Sequence, residues 1–281
     1  MVGSGNPPDE PRTVCFARMD WWWAYLAVGV FVGFFSGLLG IGGGALMVPL
    51  LAFIFDAKGF SPHVVHLALG TCVAAMLFTA ASSALSHHRH RAVNRRVLVR
   101  MAPGILVGTL AGAALASRLD ARLLTIAFTV LIFWAATLMV IEVQPRPARA
   151  LPGAAGMAAV SGAIGLFSSL TATGGSAMVV AYLVRRGVSV HEAIGTAAAV
   201  SWSLALFGMT GYLAAGAFAA GLPEWSLGFV YLPALALIVA TSMLTAPVGA
   251  AVAHRTPGRT LKRVFAVVLF ALATGMLVRF F

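Results

Sequence analysis

A chain of 281 residues that is 60% hydrophobic and only 10% charged has more apolar surface than a water-soluble core of that length can hide, so it is an integral membrane protein. Its formal net charge of +11 would suggest nucleic acid in a soluble protein; here the basic residues lack an interleaved aromatic platform and read as cytoplasmic anchors, with no nucleic-acid partner. Alternating strands of about ten residues are absent, which excludes an outer-membrane barrel and leaves an all-α polytopic bundle partnered by the lipid bilayer.

Residues 1–20 are polar and mixed in charge, ahead of an apolar run much longer than a signal-peptide core, and read as an uncleaved, disordered tail. Cys15 in that tail and Cys72 in a predicted span make neither a disulfide framework nor a metal or redox CxxC. Apolar runs follow at 21–57, 62–86, 99–117, 122–141, 151–185, 189–220, 227–252 and 261–281. Each is near or above the ~20 residues that a crossing helix needs.

The first run contains "GFFSGLLGIGGGALMVPLL", Gly33 to Leu51, whose glycines interrupt it at Gly40 to Gly44. Two readings of the break stay open: short helices at about 21–39 and 44–57 that turn at Gly40 to Gly44 and each cross, or a re-entrant hairpin that dips in and returns. The break recurs. "SGLLGIGGGALMV", Ser36 to Val48, falls on "SSLTATGGSAMVV", Ser168 to Val180; "HLALGT", His66 to Thr71, on "HEAIGT", His191 to Thr196; and "GAALASRLDARLL", Gly112 to Leu124, on "GAAVAHRTPGRTL", Gly249 to Leu261. Three blocks in one order divide the chain into transmembrane repeats at 21–145 and 146–281, joined through "QPRPARALPG", Gln144 to Gly153.

Charge orients the copies. "HHRHRAVNRR", His87 to Arg96, is densely basic, whereas its counterpart "AAGAFAAGLPEW", Ala214 to Trp225, has no Lys or Arg; in repeat two the basic loops are Arg185-Arg186 and Arg255 to Arg263. Equivalent loops therefore fall on opposite sides of the membrane, the signature of two inverted-topology repeats. Inversion needs odd parity in each repeat, which the glycine break supplies, giving about eight to ten transmembrane segments in all. The N-terminus is then outside and His87 to Arg96 inside, with Arg118 and Arg122 facing outward beside Asp120.

A helix broken in lipid exposes N–H and C=O groups that must be buried in protein or line a polar cavity. Ser36, Gly40, Gly42, Gly43 and Gly44 in the first break, and Thr171, Thr173, Gly174, Gly175 and Ser176 in the second, are the candidate substrate-binding residues. Glycine allows positive φ and lets amide N–H groups approach a bound group, and the positive end of a half-helix favours an anion. Thr71 and Thr196, each closing a Gly-Thr pair, join that set, and His66 and His191, on the same helix face as those pairs, are candidates for a pathway. Glu192 has no acidic counterpart, since Leu67 occupies its place, so no paired-carboxylate mechanism is supported. His87, His88 and His90 lie among arginines that disfavour a cation, so no metal site is read there and no cofactor is called for. No Asp, Glu, Lys or Arg falls clearly at the centre of a span, so no buried carboxylate relay is visible. Ser36 in "FFSG" as the nucleophile of an intramembrane serine hydrolase finds no support beyond Ser-Gly, and the chain does not read as an enzyme.

"SGLLGIGGGALMVPLL" followed by "ALGT", and "SSLTATGGSAMVV" followed by "EAIGT", resemble the two signatures of the sulfite exporter TauE/SafE family of membrane permeases, over roughly Trp22 to Val278. The second copy departs from the Gly-rich form at Thr171, Ala172, Thr173, Ser176 and Ala181. The resemblance implies a multi-pass protein of the bacterial cytoplasmic (inner) membrane that moves a small sulfur-containing anion such as sulfite, thiosulfate or an organosulfonate. Taken together, the expectation is a secondary transporter working by alternating access, with an anion channel of the same fold as the alternative.

Overall fold

The structure is a computed structural model describing residues 21–39, 43–89, 92–140, 151–253 and 258–280. The expected tail at 1–20 and two candidate residues, Gly40 and Gly42, lie outside the described residues. The chain is built from helices α1 (Trp22–Leu39), α2 (Gly44–Ala57), α3 (Val64–Arg89), α4 (Arg95–Arg118), α5 (Ala121–Val140), α6 (Ala154–Thr171), α7 (Ser176–Arg185), α8 (Val190–Gly216), α9 (Leu232–Ala253) and α10 (Gly258–Phe280). Between α8 and α9 a short antiparallel ribbon, β1 (Ser226–Leu227) and β2 (Val230–Tyr231), pairs Ser226 with Tyr231. The ribbon has no counterpart in the sequence reading, since two-residue strands leave no periodicity to detect.

Length and hydropathy make Val64–Arg89, Arg95–Arg118, Ala154–Thr171, His191–Gly216 and Leu232–Gly249 long and apolar enough to cross a membrane, and the other helices are shorter apolar segments. The chain is thus an all-α polytopic membrane protein. Caps fix the helix starts: the Asn94 side chain accepts from the Val97 N–H at 3.0 Å to begin α4, and the Ser189 hydroxyl accepts from the Glu192 N–H at 3.3 Å to begin α8.

Contacts set the helix directions. Tyr25 at the start of α1 meets Phe55 near the end of α2, with ring centroids 6.3 Å apart, while Val32 and Ser36, farther along α1, border Gly43. Lys58, just past α2, holds its ammonium 5.3–5.6 Å from the rings of Tyr25, Phe60 and Tyr231. The break between α1 and α2 is therefore a hairpin whose two arms, of 18 and 14 residues or about 27 and 21 Å, open at the same end. The chain turns back at the glycine break, as both readings of it require.

The α6–α7 pair turns in the same manner but opens at the other end. There Met157 of α6 and Leu183 of α7 share one apolar cluster with Val97 at the start of α4. Helices α3 and α8 pack antiparallel between the hairpins: His63 beside α3 reaches the Ala220 carbonyl beyond α8, and at the opposite end the Asn94 N–H reaches Thr196.

The first arm of each hairpin packs in parallel against a helix of the other half, α1 on α9 and α6 on α4. Glycines set the closeness of both seams. A Cβ on Gly249 would fall on the Phe34 carbonyl of α1, and one on Gly112 would sit 2.7 Å from the Leu166 carbonyl of α6. Gly112 and Gly249 occupy matching places in the aligned blocks, so one small-residue contact is made twice.

Candidate functional site

The two hairpin tips meet. Gly43 and Gly175 cap α2 and α7 in the left-handed region, at φ 64° and 63°, and neither helix start receives a side-chain cap. In a helix the first N–H groups have no intrahelical acceptor, so each tip presents donors at the positive end of a half-helix. Around each capping glycine stands a matched pair of side chains. A Cβ at Gly43 would lie 2.7 Å from Val32 and 3.2 Å from Ser36; one at Gly175 would lie 3.0 Å from Ile164 and 3.5 Å from Ser168.

Gly44, the first residue of α2, lies directly against the Ala172 carbonyl of the other tip, where even a methyl group would overlap it. Ala172 itself, the C-cap of α6, adopts φ 48°, a left-handed conformation that L-residues enter only at a cost of about 1–2 kcal/mol. The contact is level with the middle of α3 and α8. The buried Cys72 thiol lies 3.7 Å from the Gly44 carbonyl and 3.8 Å from that of Ala172, and Ser201 of α8 donates to the Gly174 carbonyl at 2.7 Å. Met76 of α3 borders both Gly44 and Gly174. None of Cys72, Met76 and Ser201 was singled out from sequence as part of the site, because a lone small or apolar residue inside a span has no distinguishing pattern.

Of the sequence candidates, Ser36, Gly43 and Gly44 thus come together with Thr171 to Ser176. Thr171 donates to the Phe167 carbonyl at 2.9 Å and lies 3.0 Å from the Thr173 hydroxyl. The hydroxyls of Thr71 and Thr196 are engaged by loops of the opposite half. Thr71, next to Cys72 in α3, accepts a hydrogen bond from the Tyr231 N–H at 2.9 Å where the chain enters α9, and Thr196 accepts from the Asn94 N–H at 2.9 Å where it enters α4. The glycine before each threonine sits under the same loop, Gly70 against the Phe229 backbone and Gly195 against that of Ala92. Both Gly-Thr pairs therefore fasten the chain entering the next long helix of the opposite half, α9 and α4. His66 is buried and its Nε2 donates to the Ala116 carbonyl at 3.0 Å, whereas His191 is exposed at the opposite end, so the two histidines are not neighbours.

Beside the second tip is a small cavity walled by α3, α4, α6 and α8. Val73, Met76, Thr109, Ser169, Gly174 and Gly208 are among its lining, and it has room for about one water molecule.

Bilayer-length apolar helices with two broken hairpins meeting at mid-height define the class: a polytopic helical membrane protein with a buried, backbone-lined centre, the one setting in which irregular backbone is tolerated at that depth. The family model described as "Sulfite exporter TauE/SafE" matches residues 25–276, and the chain belongs to that family. It is similar to a Haemophilus influenzae protein named "Probable membrane transporter protein", 32% identical over 257 residues, which are 90% of this chain and 97% of that one. Proteins of the same description from Bacillus subtilis, 26% identical over 89% of this chain and 96% of theirs, and from Methanocaldococcus jannaschii, 26% identical over 78% and 81%, are also similar. No solved structure matches the chain. The protein is a membrane transporter.

Proposed function

We propose that the protein carries a small sulfur-containing anion, such as sulfite, thiosulfate or an organosulfonate, across the bacterial cytoplasmic membrane by alternating access around the meeting point of the two tips. The observation that carries this reading is the tip-to-tip contact of Gly44 with Ala172, made by hairpins that open at opposite ends of the bundle. Each tip offers uncapped helix N–H donors to an anion, and neither hairpin alone closes the path between the two ends. Inverted-topology repeats at 21–145 and 146–281 account for the matched contacts of Gly112 with Gly249, Thr71 with Thr196, and Val32 and Ser36 with Ile164 and Ser168. The end rich in Arg89, Arg95, Arg96, Arg185 and Arg186 faces the cytoplasm.

The test is a flux screen of sulfite, thiosulfate, sulfate, taurine and sulfoacetate on purified protein in proteoliposomes, with and without a proton gradient. Saturable uptake that shows counterflow is the expected result. Conduction without saturation or counterflow would replace the carrier with a channel, and inertness toward every anion would refute the cargo class.

A further inference from the structure

The cavity beside the second tip contains hydroxyl groups that the fold leaves unused. Thr109 of α4 and Ser169 of α6 line it, are 1% and 3% exposed, and neither hydroxyl has a hydrogen-bond partner among the described residues. The Ser176 hydroxyl, on the first residue of α7, is 8% exposed and also lacks a partner there. Buried hydroxyls in helices ordinarily return a hydrogen bond to a carbonyl one turn back. Other hydroxyls of this bundle follow that habit: Thr125 donates to Ala121, Thr171 to Phe167, and Ser203 to Ala199. Thr129 of α5 is also without a partner but does not line the cavity; Thr109 and Ser169 line it together with Gly174, two positions before α7, and are donors held in reserve.

The surroundings fix what could use them. Every side chain on the cavity wall is uncharged. Ser201 ties down the Gly174 carbonyl, which holds the peptide between Gly174 and Gly175 in place ahead of α7. The matching places in the other half are apolar: Ala246 stands where Thr109 would be, Gly37 where Ser169 would be, and Met76 where Ser201 would be. The pocket is thus one-sided.

We infer that Thr109 and Ser169, with Ser176 and the N-terminal turn of α7, form the cargo pocket, and that it takes a small singly charged oxyanion. This rests on the anion-carrier reading above. Hydroxyl donors and a half-helix end stabilise one negative charge, while a dianion in a neutral, buried wall has no cation to offset its desolvation. A protonated oxyanion such as hydrogen sulfite gains further, since its own O–H donates to a hydroxyl oxygen. In the observed conformation the pocket is closed down to the size of a water, and cargo enters when the tips separate.

The experiment is counterflow in proteoliposomes with radiolabelled sulfite, methanesulfonate and sulfate. Thr109→Val keeps the shape and removes the hydroxyl; Ser169→Ala does the same at the second wall. Each should raise the half-saturating sulfite concentration about tenfold, Thr109→Ser should restore it, and Thr125→Val, whose hydroxyl is spent on Ala121, should leave it unchanged. Wild-type protein should carry methanesulfonate and not sulfate, and sulfite flux should rise on acidification while methanesulfonate flux does not. Parental half-saturation in both variants would overturn the pocket and leave the carrier standing. Sulfate carried as well as methanesulfonate would overturn the singly charged cargo without relying on any variant. Absence of counterflow for every anion in the wild type would bring down the carrier reading, and the pocket with it.

Discussion

Gly44→Ala is the sharpest probe of the tip-to-tip contact. Gly44 is the first residue of α2 and has no positive φ, so alanine is conformationally acceptable and even favours the helix by about 0.8–1 kcal/mol. The obstacle is space. The new methyl would overlap the Ala172 oxygen and stand 2.9 Å from both the Ala172 carbonyl carbon and the Met76 sulfur. A carbon–oxygen contact needs about 3.3 Å, and the overlap with the Ala172 oxygen is the tightest of the three, so the tips must part by about 1.5 Å or more, an overpacking cost of about 3 kcal/mol. Met76 can swing aside, but a carbonyl held in a tight turn cannot. The variant should insert normally, melt earlier by size-exclusion thermal shift, and lose at least about tenfold in sulfite flux, the equivalent of about 1.4 kcal/mol. Gly162→Ala, inside α6 with its nearest neighbour 3.5 Å away, is the matched control and should behave as the parent. If Gly44→Ala melts and transports like the parent, the tips do not touch in the working protein and the reasoning fails.

In a background without Cys15 and Cys72, single cysteines at Arg96 and Phe218, both exposed, should label from opposite sides of the membrane; labelling from one side would refute the inverted arrangement. Thr71→Val and Thr196→Val each remove the acceptor of a backbone N–H and should cost about 1–3 kcal/mol, with serine restoring most of it. The larger loss is expected at Thr71, because its partner Tyr231 is buried while Asn94 is half-buried. Absent losses in thermal melts would mean that these threonines do not fasten the loops, and equal losses would refute the ranking. Gly43→Ala puts a side chain at φ 64° and presses it against Val32 and Ser36; a drop in flux at unchanged membrane abundance is expected, and parental flux would remove the first turn from the path.

The helices were legible because crossing a bilayer demands long apolar runs, and the glycine interruption located both hairpin tips before any coordinates. What hydropathy could not supply was the contact that closes the turn: Tyr25 meets Phe55, a pair of side chains thirty positions apart that leaves no local pattern. Thr71 and Thr196 stood out in sequence because each closes a Gly-Thr pair in matching blocks. Their actual partners lie in loops far along the chain, out of reach of any periodicity argument. Thr109 and Ser169 went unnoticed for the converse reason, since an isolated hydroxyl in an apolar helix is ordinarily bonded to its own backbone and only coordinates reveal that these are not. Gly29, well before the break, is a packing glycine, since a Cβ there would fall 2.8 Å from the Ile238 carbonyl of α9.

The seam between α1 and α9 bears on how the molecule is made. Gly29 meets Ile238 only after roughly 200 further residues have been synthesised, some 10–40 s at about 5–20 residues per second. Throughout that interval the glycine face of α1 is covered by lipid or by the insertion machinery, and α6 completes the reciprocal seam on α4 well before α9 arrives. Neither half holds its own long-arm partner, so the first half released alone lacks the α9 face on which α1 packs. Cut at the linker and expressed as two polypeptides, the halves should be recovered together or degraded separately, and assembly, rather than insertion, becomes the step at which the cell decides whether a copy survives.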